Sequence, residues 1–211
     1  MHGANRRFWV RCYERYTEYF TGKSVLEVGS QNVNGSVRDH FTTKDYVGVD
    51  WRAGKCVDVV SLAHEMKLGR KFDVVISASM LEHDPHWDRS LESMMAHLAA
   101  EGILLLSWGA ELNCVHCNDT APDGRFHRLK AEACIREVEK LGIDVVEFHY
   151  EGNLYTRGLL KSRLPGYKDG LGEVGLVGFF RGSEAAKKYD GNRSLDPILD
   201  VDLIAAPVAK E

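Results

Sequence analysis

The sequence predicts an α/β protein whose mainly parallel sheet is covered by helices. Short apolar segments typical of buried strands alternate along the chain with segments in which apolar residues recur every three or four positions. This alternation indicates β-α-β units, which build a parallel sheet with helices on its faces. A length of 211 residues and an apolar fraction of 44% agree with one ordinary domain that has a substantial core.

Seven short segments are predicted to be strands, because each is rich in apolar residues and is bounded by polar residues or glycine. They cover residues 24–29, 46–50, 56–60, 72–77, 103–108, 143–149 and 173–180. No clear helix separates the last two strands, and 151–172 is rich in glycine and basic residues. We therefore expect these two strands to pair antiparallel at the edge of the sheet.

Helices are predicted at 5–20, 35–41, 86–99 and 130–141. The first is amphipathic, and its apolar side is formed by Phe8, Trp9, Cys12, Tyr13, Tyr16 and Phe20. Gly22 and Gly142 follow predicted helices, as glycine commonly does at a helix end.

The chain is predicted to contain a single domain over residues 1–182. Within it, 1–22 is an N-terminal helical segment, and 109–128 and 150–172 are long segments that we expect to cover one edge of the sheet. Residues 183–211 are predicted to be a weakly structured tail.

Composition disfavours several classes of protein. A net charge of −4 lacks the basic excess of a nucleic-acid-binding protein. Five scattered cysteines do not suggest a disulfide framework. No apolar run reaches the 18 residues of a membrane span, and the N-terminal segment lacks the apolar core of a signal peptide. The sequence therefore predicts a cytoplasmic protein. Its oligomeric state, monomer or homodimer, stays open at this point.

The strongest functional signal is a set of four segments in a fixed order. The first strand ends in Glu27-Val28-Gly29-Ser30, and the second ends in Asp50, 23 residues after Glu27. Residues 72–83 (FDVVISASMLEH) and 98–108 (LAAEGILLLSW) follow. In open α/β sheets, ligands bind beyond the carboxyl ends of the strands, and an acid about 20 residues after the first turn commonly binds ribose hydroxyls. The pattern predicts a site for a ribose-containing ligand.

These segments resemble the class I S-adenosylmethionine-dependent methyltransferases, and among them the methyltransferase type 11 proteins. The resemblance implies a Rossmann-like, doubly wound sheet of seven strands in a three-layer αβα sandwich, with the last strand antiparallel and the order 3-2-1-4-5-7-6. It also implies that S-adenosyl-L-methionine is the cofactor. The similarity covers residues 23–108 well, and the strand pattern over 143–180 fits the final reversed hairpin of the family.

The resemblance assigns cofactor-binding roles by position. Glu27 and Gly29 would lie near the methionine part of the cofactor, Asp50 would hold the ribose hydroxyls, and Trp51 would pack on the adenine. The remaining residues expected to line the cofactor are Ser30, Ser61, Ser77 and Met80.

The chain departs from the family pattern at two places. Gln31 and Val33 stand where the family loop ExGxGxG usually has its second and third glycines. Leu62 stands near the position of the acid that often holds the adenine amino group, so the backbone, Ser61 or His64 would contact adenine instead.

Methyl transfer from a sulfonium requires in-line alignment and exclusion of water, and a base helps when the acceptor is a hydroxyl or a protonated amine. His83, His116 and His127 are the candidates. Alternatively, His116 and His127 are loop residues bonded to backbone, and His83 braces the turn after the fourth strand. Glu82, beside His83, is either an acid–base partner or a helix cap.

The leading hypothesis is a methyltransferase for an oxygen, nitrogen or sulfur atom of a small molecule. An RNA or protein methyltransferase is an alternative that the acidic charge disfavours. A non-catalytic cofactor-binding subunit is a second alternative, suggested by the altered glycine loop. A nicotinamide dehydrogenase is disfavoured because GxGxxG is absent. Cys114 and Cys117 form a CxxC without a second pair, so no metal site is predicted.

Overall fold

A computed structural model of the chain describes residues 3–33, 35–110, 122, 125, 127–151 and 173–189. Most of the two segments predicted to cover the sheet edge, 109–128 and 150–172, lies outside these described residues. The same is true of Cys114, His116 and Cys117.

The described strands form one seven-stranded sheet. In chain order they are β1 (Val25–Val28), β2 (Tyr46–Asp50), β3 (Val59–Val60), β4 (Phe72–Ala78), β5 (Leu98–Gly109), β6 (Ile143–Glu151) and β7 (Glu173–Phe180). The spatial order is β3-β2-β1-β4-β5-β7-β6. Strand β7 is antiparallel to both of its neighbours, and the other pairings are parallel. The predicted sheet, with its last strand reversed, is confirmed.

Helices cover both faces of the sheet. They are α1 (Gly3–Arg15), α2 (Trp87–His97), α3 (Ala131–Lys140) and α4 (Glu184–Tyr189). Helices α1 and α4 pack on one face, called the α1 face here, and α2 and α3 pack on the opposite face, the α2 face. Each face has its own cluster of buried apolar side chains, so the predicted three-layer αβα architecture is confirmed.

Burial follows the alternation of side chains along each strand. In β5, Ile103 and Leu105 belong to the core on the α1 face, whereas Leu104 and Leu106 belong to the core on the α2 face. A strand buried on both faces therefore reads as a continuous apolar run, which explains why ILLL was recognisable in the sequence.

Helix α1 is attached to the sheet through one buried carboxylate, that of Glu147 on β6. Arg11 Nε and Tyr16 Oη each donate a hydrogen bond of 2.8 Å to Glu147, and His149 contacts the same carboxylate. Burial acts to raise the pKa of Glu147, but the hydrogen bonds from His149 and Tyr16 lower it to about 2. The aromatic side of α1 thus packs on the core while its polar side forms an ion pair with the sheet.

Three predicted elements are shorter than expected. The helix predicted at 5–20 ends at Arg15 and is followed by a 3₁₀ turn, Thr17–Tyr19. The segment predicted as a helix at 35–41 contains only a 3₁₀ turn, Val37–His40, whose first turn is capped by Ser36 Oγ accepting from the Arg38 N–H at 3.1 Å. The predicted third strand is reduced to Val59–Val60.

Two other elements extend beyond their predicted bounds. Strand β5 begins at Leu98, because Leu98 pairs with Phe72 ahead of a register shift in β4. The first residues of the predicted tail form α4, whose Ala185, Ala186 and Tyr189 are buried against the sheet. Among the described residues, none of the helices has the length and apolar character required to cross a bilayer.

Candidate functional site

A cavity with an empty volume of about 390 Å³ opens at the carboxyl ends of β1, β2 and β4. It lies where the strand order reverses between β1 and β4, the usual ligand position in open α/β sheets. The walls are formed by Val28, Gly29, Val49, Asp50, Trp51, Ser61, Leu62, Ala63, His64, Met80, His83, Asp84 and Pro122.

Gly29 forms the floor of the cavity at the end of β1. Its φ of +83° lies in the left-handed region, and its N–H donates to the Val49 carbonyl at 2.8 Å. A Cβ atom at this position would lie 2.4 Å from Met80 Cβ. Glycine is therefore required both by the turn and by the close approach of the chain that follows β4.

Asp50 places a carboxylate in the cavity wall at the end of β2. It is 8% exposed, and its Oδ2 accepts the Gln31 N–H at 3.0 Å while its Oδ1 accepts the Arg52 N–H at 3.4 Å. Burial raises the pKa of Asp50, and the backbone donors act in the opposite direction. The carboxylate is thus oriented by the backbone, and each oxygen retains lone-pair capacity for a ligand.

Gln31, which replaces a family glycine, does not line the cavity. Its Oε1 accepts a hydrogen bond from Arg52 Nε at 2.8 Å, and its side chain packs on the turn at Gly54, where a Cβ would lie 2.8 Å from Gln31 Nε2. Val33, the second replacement, is 58% exposed. Neither replacement fills the space beyond β1.

Part of the cavity lining is apolar and includes an aromatic ring. Trp51 lies there with Leu62 and Ala63, and the Arg52 guanidinium lies 5.2 Å from the Trp51 ring centroid. Ser61 is held against Asp50 by its N–H, which donates to the Asp50 carbonyl at 2.9 Å, but its hydroxyl donates to the Leu62 carbonyl. An aromatic ring with a flanking apolar surface suits a flat ligand.

The turn after β4 also lines the cavity. Ser79 adopts a φ of +58°, which a non-glycine residue rarely adopts, and its N–H donates to the Ser107 carbonyl at 2.8 Å. This turn directs Met80 and His83 toward the cavity. Strained backbone of this kind is concentrated at functional sites.

Three residues assigned to the cofactor by resemblance do not line the cavity: Glu27, Ser30 and Ser77. Glu27 is buried and accepts the Tyr46 hydroxyl at 2.8 Å, and burial raises the pKa of Glu27 to about 8. Ser30 packs beneath β2, where a Cβ on Gly48 would lie 2.6 Å from Ser30 Oγ. The other assigned residues, Gly29, Asp50, Trp51, Ser61 and Met80, do line it.

Of the three candidate bases, His83, His116 and His127, the cavity lining includes His83. The N–H of His127 donates to the Glu82 carbonyl at 2.6 Å, whereas His116 lies outside the described residues. His64, named as a possible adenine contact, also lines the cavity, and its ring lies 4.6 Å from that of His86.

Glu82 is a buried acid beside the cavity. It is 1% exposed, and its Oε1 accepts the Gly109 N–H at 2.9 Å. Burial raises the pKa of Glu82 to about 8, and the nearby Glu173 carboxylate acts in the same direction. Its position directly after β4 was visible in the sequence, but its burial depends on the contact with the end of β5.

Asp84 was not singled out in the sequence, and it also lines the cavity. It accepts hydrogen bonds from the His86 N–H at 2.8 Å and from the Ser90 hydroxyl, which fixes the start of α2. A local signal existed, since an aspartate shortly before a helix is a common cap.

No family model and no curated protein matches the chain, so the narrower resemblance to methyltransferase type 11 proteins stays a prediction. Solved structures do match it. An S-adenosylmethionine-dependent methyltransferase from Clostridium acetobutylicum is 10% identical, with a TM-score of 0.59 over 84% of this chain and 92% of that one.

Two further matches have comparable scores. The 1,6-didemethyltoxoflavin-N1-methyltransferase of Burkholderia thailandensis, solved with bound 1,6-didemethyltoxoflavin and S-adenosylhomocysteine, is 12% identical, with a TM-score of 0.60 over 85% of this chain and 79% of that one. The [4+2]-cyclase SpnF is 14% identical, with a TM-score of 0.59 over 83% of this chain and 81% of that one. At these identities the matches establish the fold: the chain has the Rossmann-like fold of S-adenosylmethionine-dependent methyltransferases.

Proposed function

We propose that the chain is a methyltransferase that binds S-adenosyl-L-methionine and transfers its methyl group to an oxygen, nitrogen or sulfur atom of a small molecule. The observation that carries this proposal is the cavity between Gly29 and the Asp50 carboxylate, at the reversal of strand order. Gln31 and Val33, which replace the family glycines, lie outside the cavity lining. This favours a cavity that binds a ligand over one that side chains have filled.

The donor groups around the cavity fit this cofactor. The Asp50 carboxylate would accept hydrogen bonds from the ribose diol, and Trp51 with Leu62 would pack on the adenine. Gly29 and Met80 would lie against the methionine part. Leu62 stands where the family often has an acid that holds the adenine amino group. This difference is compatible with cofactor binding, because the apolar part of the cavity would bury the adenine and the backbone groups of Leu62 and Ala63 would be near it.

S-Adenosylmethionine supplies a methyl group already activated on a sulfonium. The protein's contribution is then to orient the acceptor, exclude water and accept a proton where the acceptor carries one. The turn after β4 would serve this purpose, because Met80 and His83 line the cavity. His83, His127 and His116 remain our predicted candidates for acceptor contact.

A small-molecule acceptor is supported by two features. The net charge of −4 disfavours a polyanionic partner. The Burkholderia neighbour is named for the methylation of a small molecule, 1,6-didemethyltoxoflavin, although the cyclase shows that this fold serves other reactions too. The activity therefore has to be tested on this chain.

The decisive test is isothermal titration of S-adenosylmethionine and S-adenosylhomocysteine into the wild type and into Asp50→Asn and Asp50→Ala. Asp50→Asn retains an oxygen for the Gln31 N–H but loses the charge, so both variants should bind at least about tenfold more weakly, equivalent to about 1.4 kcal/mol. Asp45→Ala removes an exposed acid paired with Arg70 and should bind as the wild type does. Absence of binding to the wild type, or unchanged affinity in Asp50→Ala, overturns the proposal.

A further inference from the structure

A second group of polar side chains lies at the carboxyl ends of β4 and β5, outside the lining of the cavity. Glu82 follows β4, Ser107 lies near the end of β5, and Glu173 begins β7 opposite Gly109. Ser107 is on the α1 face, because it alternates with Leu106, which belongs to the core of the α2 face.

Glu173 is on the same face as Ser107. It lies two residues before Gly175, and a Cβ at Gly175 would lie 2.5 Å from the Phe8 ring of α1. Ser107 pairs with Gly175, and Gly109 pairs with Glu173. Glu82 reaches this corner because its Oε1 accepts the Gly109 N–H.

Glu82 and Ser107 both have a buried polar atom with unused hydrogen-bonding capacity in this corner. Glu82 is 1% exposed, and its Oε2 has no hydrogen-bond partner among the described residues. Ser107 Oγ is also buried and lacks one within the same residues. A buried carboxyl oxygen without a donor costs free energy, so such an atom in a native fold calls for an explanation such as a ligand.

The charge around Glu82 specifies what kind of ligand would fit. The described charged side chain that acts on Glu82 is a second carboxylate, Glu173, rather than a lysine or arginine. His83 and Asp84 follow Glu82 in the chain and line the cavity, and the backbone N–H of His127 donates to the Glu82 carbonyl. A pair of carboxyl groups with an unused acceptor atom favours a cationic hydrogen-bond donor.

We propose that Glu82 and Glu173 bind the amino group of the methyl acceptor, so that the acceptor is an amine and Glu82 is its base. This inference rests on the proposed function. Glu82 lies between Met80 and His83, which line the cavity, so an amine held by Glu82 would be adjacent to the cofactor site.

The proton balance of the step is simple. An acceptor that arrives as an ammonium ion transfers one proton to the Glu82 carboxylate, which leaves a neutral amine and a carboxylic acid. The nitrogen lone pair then forms the bond to the methyl carbon, and the carbon–sulfur bond breaks with its electron pair going to sulfur. The products are a methylated ammonium ion and S-adenosylhomocysteine, and Glu82 later loses its proton to solvent. A pKa of about 8 suits Glu82 to this exchange.

The binding half is tested by following the side-chain carboxyl of Glu82 by carbon-13 NMR in the chain saturated with S-adenosylhomocysteine. Methylammonium is the probe, and methanol is its uncharged counterpart. Methylammonium should lower the titration midpoint of Glu82 by about one pH unit, because a neighbouring cation favours the carboxylate. Methanol should leave the midpoint unchanged, and Glu173→Gln should diminish the shift. An unchanged midpoint, or an equal shift with methanol, overturns the proposal.

The catalytic half is tested with radiolabelled S-adenosylmethionine on pairs of compounds that differ only in carrying an amino or a hydroxyl group. Transfer to the amino members is expected. Glu82→Gln retains an oxygen for the Gly109 N–H, so it should reduce kcat on the order of 10²- to 10⁴-fold while leaving cofactor affinity unchanged. Transfer to the hydroxyl members alone overturns the inference. Failure of S-adenosylhomocysteine to bind would instead overturn the proposed function, and the methylammonium titration can then be run on the free chain.

Discussion

The backbone N–H of Gln31 donates a hydrogen bond to Asp50 Oδ2 at 3.0 Å, so the loop after β1 is attached to the carboxylate that faces the cavity. The side chain of the same glutamine accepts from Arg52 Nε at 2.8 Å, and Arg52 in turn lies over Trp51. A residue that replaces a family glycine therefore links the two strand ends that bound the cavity.

Replacing Gln31 with glycine should weaken cofactor binding, although it restores the family pattern. The substitution removes the hydrogen bond to Arg52 and increases the backbone freedom of the loop, so we expect affinity for S-adenosylhomocysteine to fall severalfold, about 1 kcal/mol or less. Isothermal titration measures the change. Tighter binding by Gln31→Gly would show that the glutamine obstructs the site instead of organising it.

Replacing Gly29 with alanine should affect both stability and cofactor affinity. The new Cβ would lie 2.4 Å from Met80 Cβ, at a residue with a φ of +83°. The left-handed backbone alone costs about 1–2 kcal/mol, and displacement of Met80 adds to this cost and deforms the cavity wall. Chemical denaturation and titration with S-adenosylhomocysteine measure the two effects.

Gly142→Ala is the matched control for that prediction. Gly142 has a φ of +86°, and a Cβ there would have no heavy atom within 4 Å. It should show the backbone cost without the contact and bind the cofactor as the wild type does. Equal destabilisation of the two variants would mean that Met80 moves aside freely and that Gly29 is required only for its φ.

Several features of the fold were predictable because they depend on local pattern. The run Ile103–Leu106 is typical of a strand buried on both faces, and Gly29 and Asp50 stand at the carboxyl ends of strands that share one edge. The direction of the Gln31 side chain was not predictable, because it depends on Arg52, which is 21 residues away.

The acidic residues Glu27 and Glu82 also show that local pattern was predictable and that contacts between distant strands were not. Glu27 was assigned to the cofactor because it belongs to a recognisable motif, but strand alternation turns it onto the α1 face, where Tyr46 donates to it. Glu82 was an ambiguous neighbour of His83 in the sequence. Gly109 donates to it and Glu173 acts on its pKa, and these residues come from two other strands that could not be placed beside it beforehand.

The ion pair between α1 and β6 predicts a loss of stability in acid. Glu147 has a pKa of about 2, against 4.5 for an unperturbed glutamate, so its stabilising effect is fully present above about 4.5 and is lost as the pH falls toward 2. Glu147→Gln should be less stable than the wild type at neutral pH by about 1–3 kcal/mol and should show a smaller loss over that interval. Urea denaturation at a series of pH values provides the comparison. If the free energy of unfolding changes equally with pH in the wild type and in Glu147→Gln, the Glu147 carboxylate does not cause the loss of stability in acid.

The buried carboxyl group of Glu27 should make the stability of the fold depend on pH in the opposite sense. Burial raises its pKa from 4.5 to about 8, so its neutral form is the one that the fold favours. Stability from this group is fully present below about 4.5 and is lost as the pH rises through 8, because the unfolded chain releases the proton more readily.

Glu27→Gln cannot ionise but still offers an oxygen to the Tyr46 hydroxyl. Its free energy of unfolding should therefore decline less between pH 4.5 and 8 than that of the wild type, by about 1–3 kcal/mol. Tyr46→Phe, which keeps the acid but removes its donor, should retain or steepen the decline. If the wild type and Glu27→Gln decline equally, the carboxyl group ionises at its ordinary pKa, and Tyr46 and its surroundings must accommodate a buried charge.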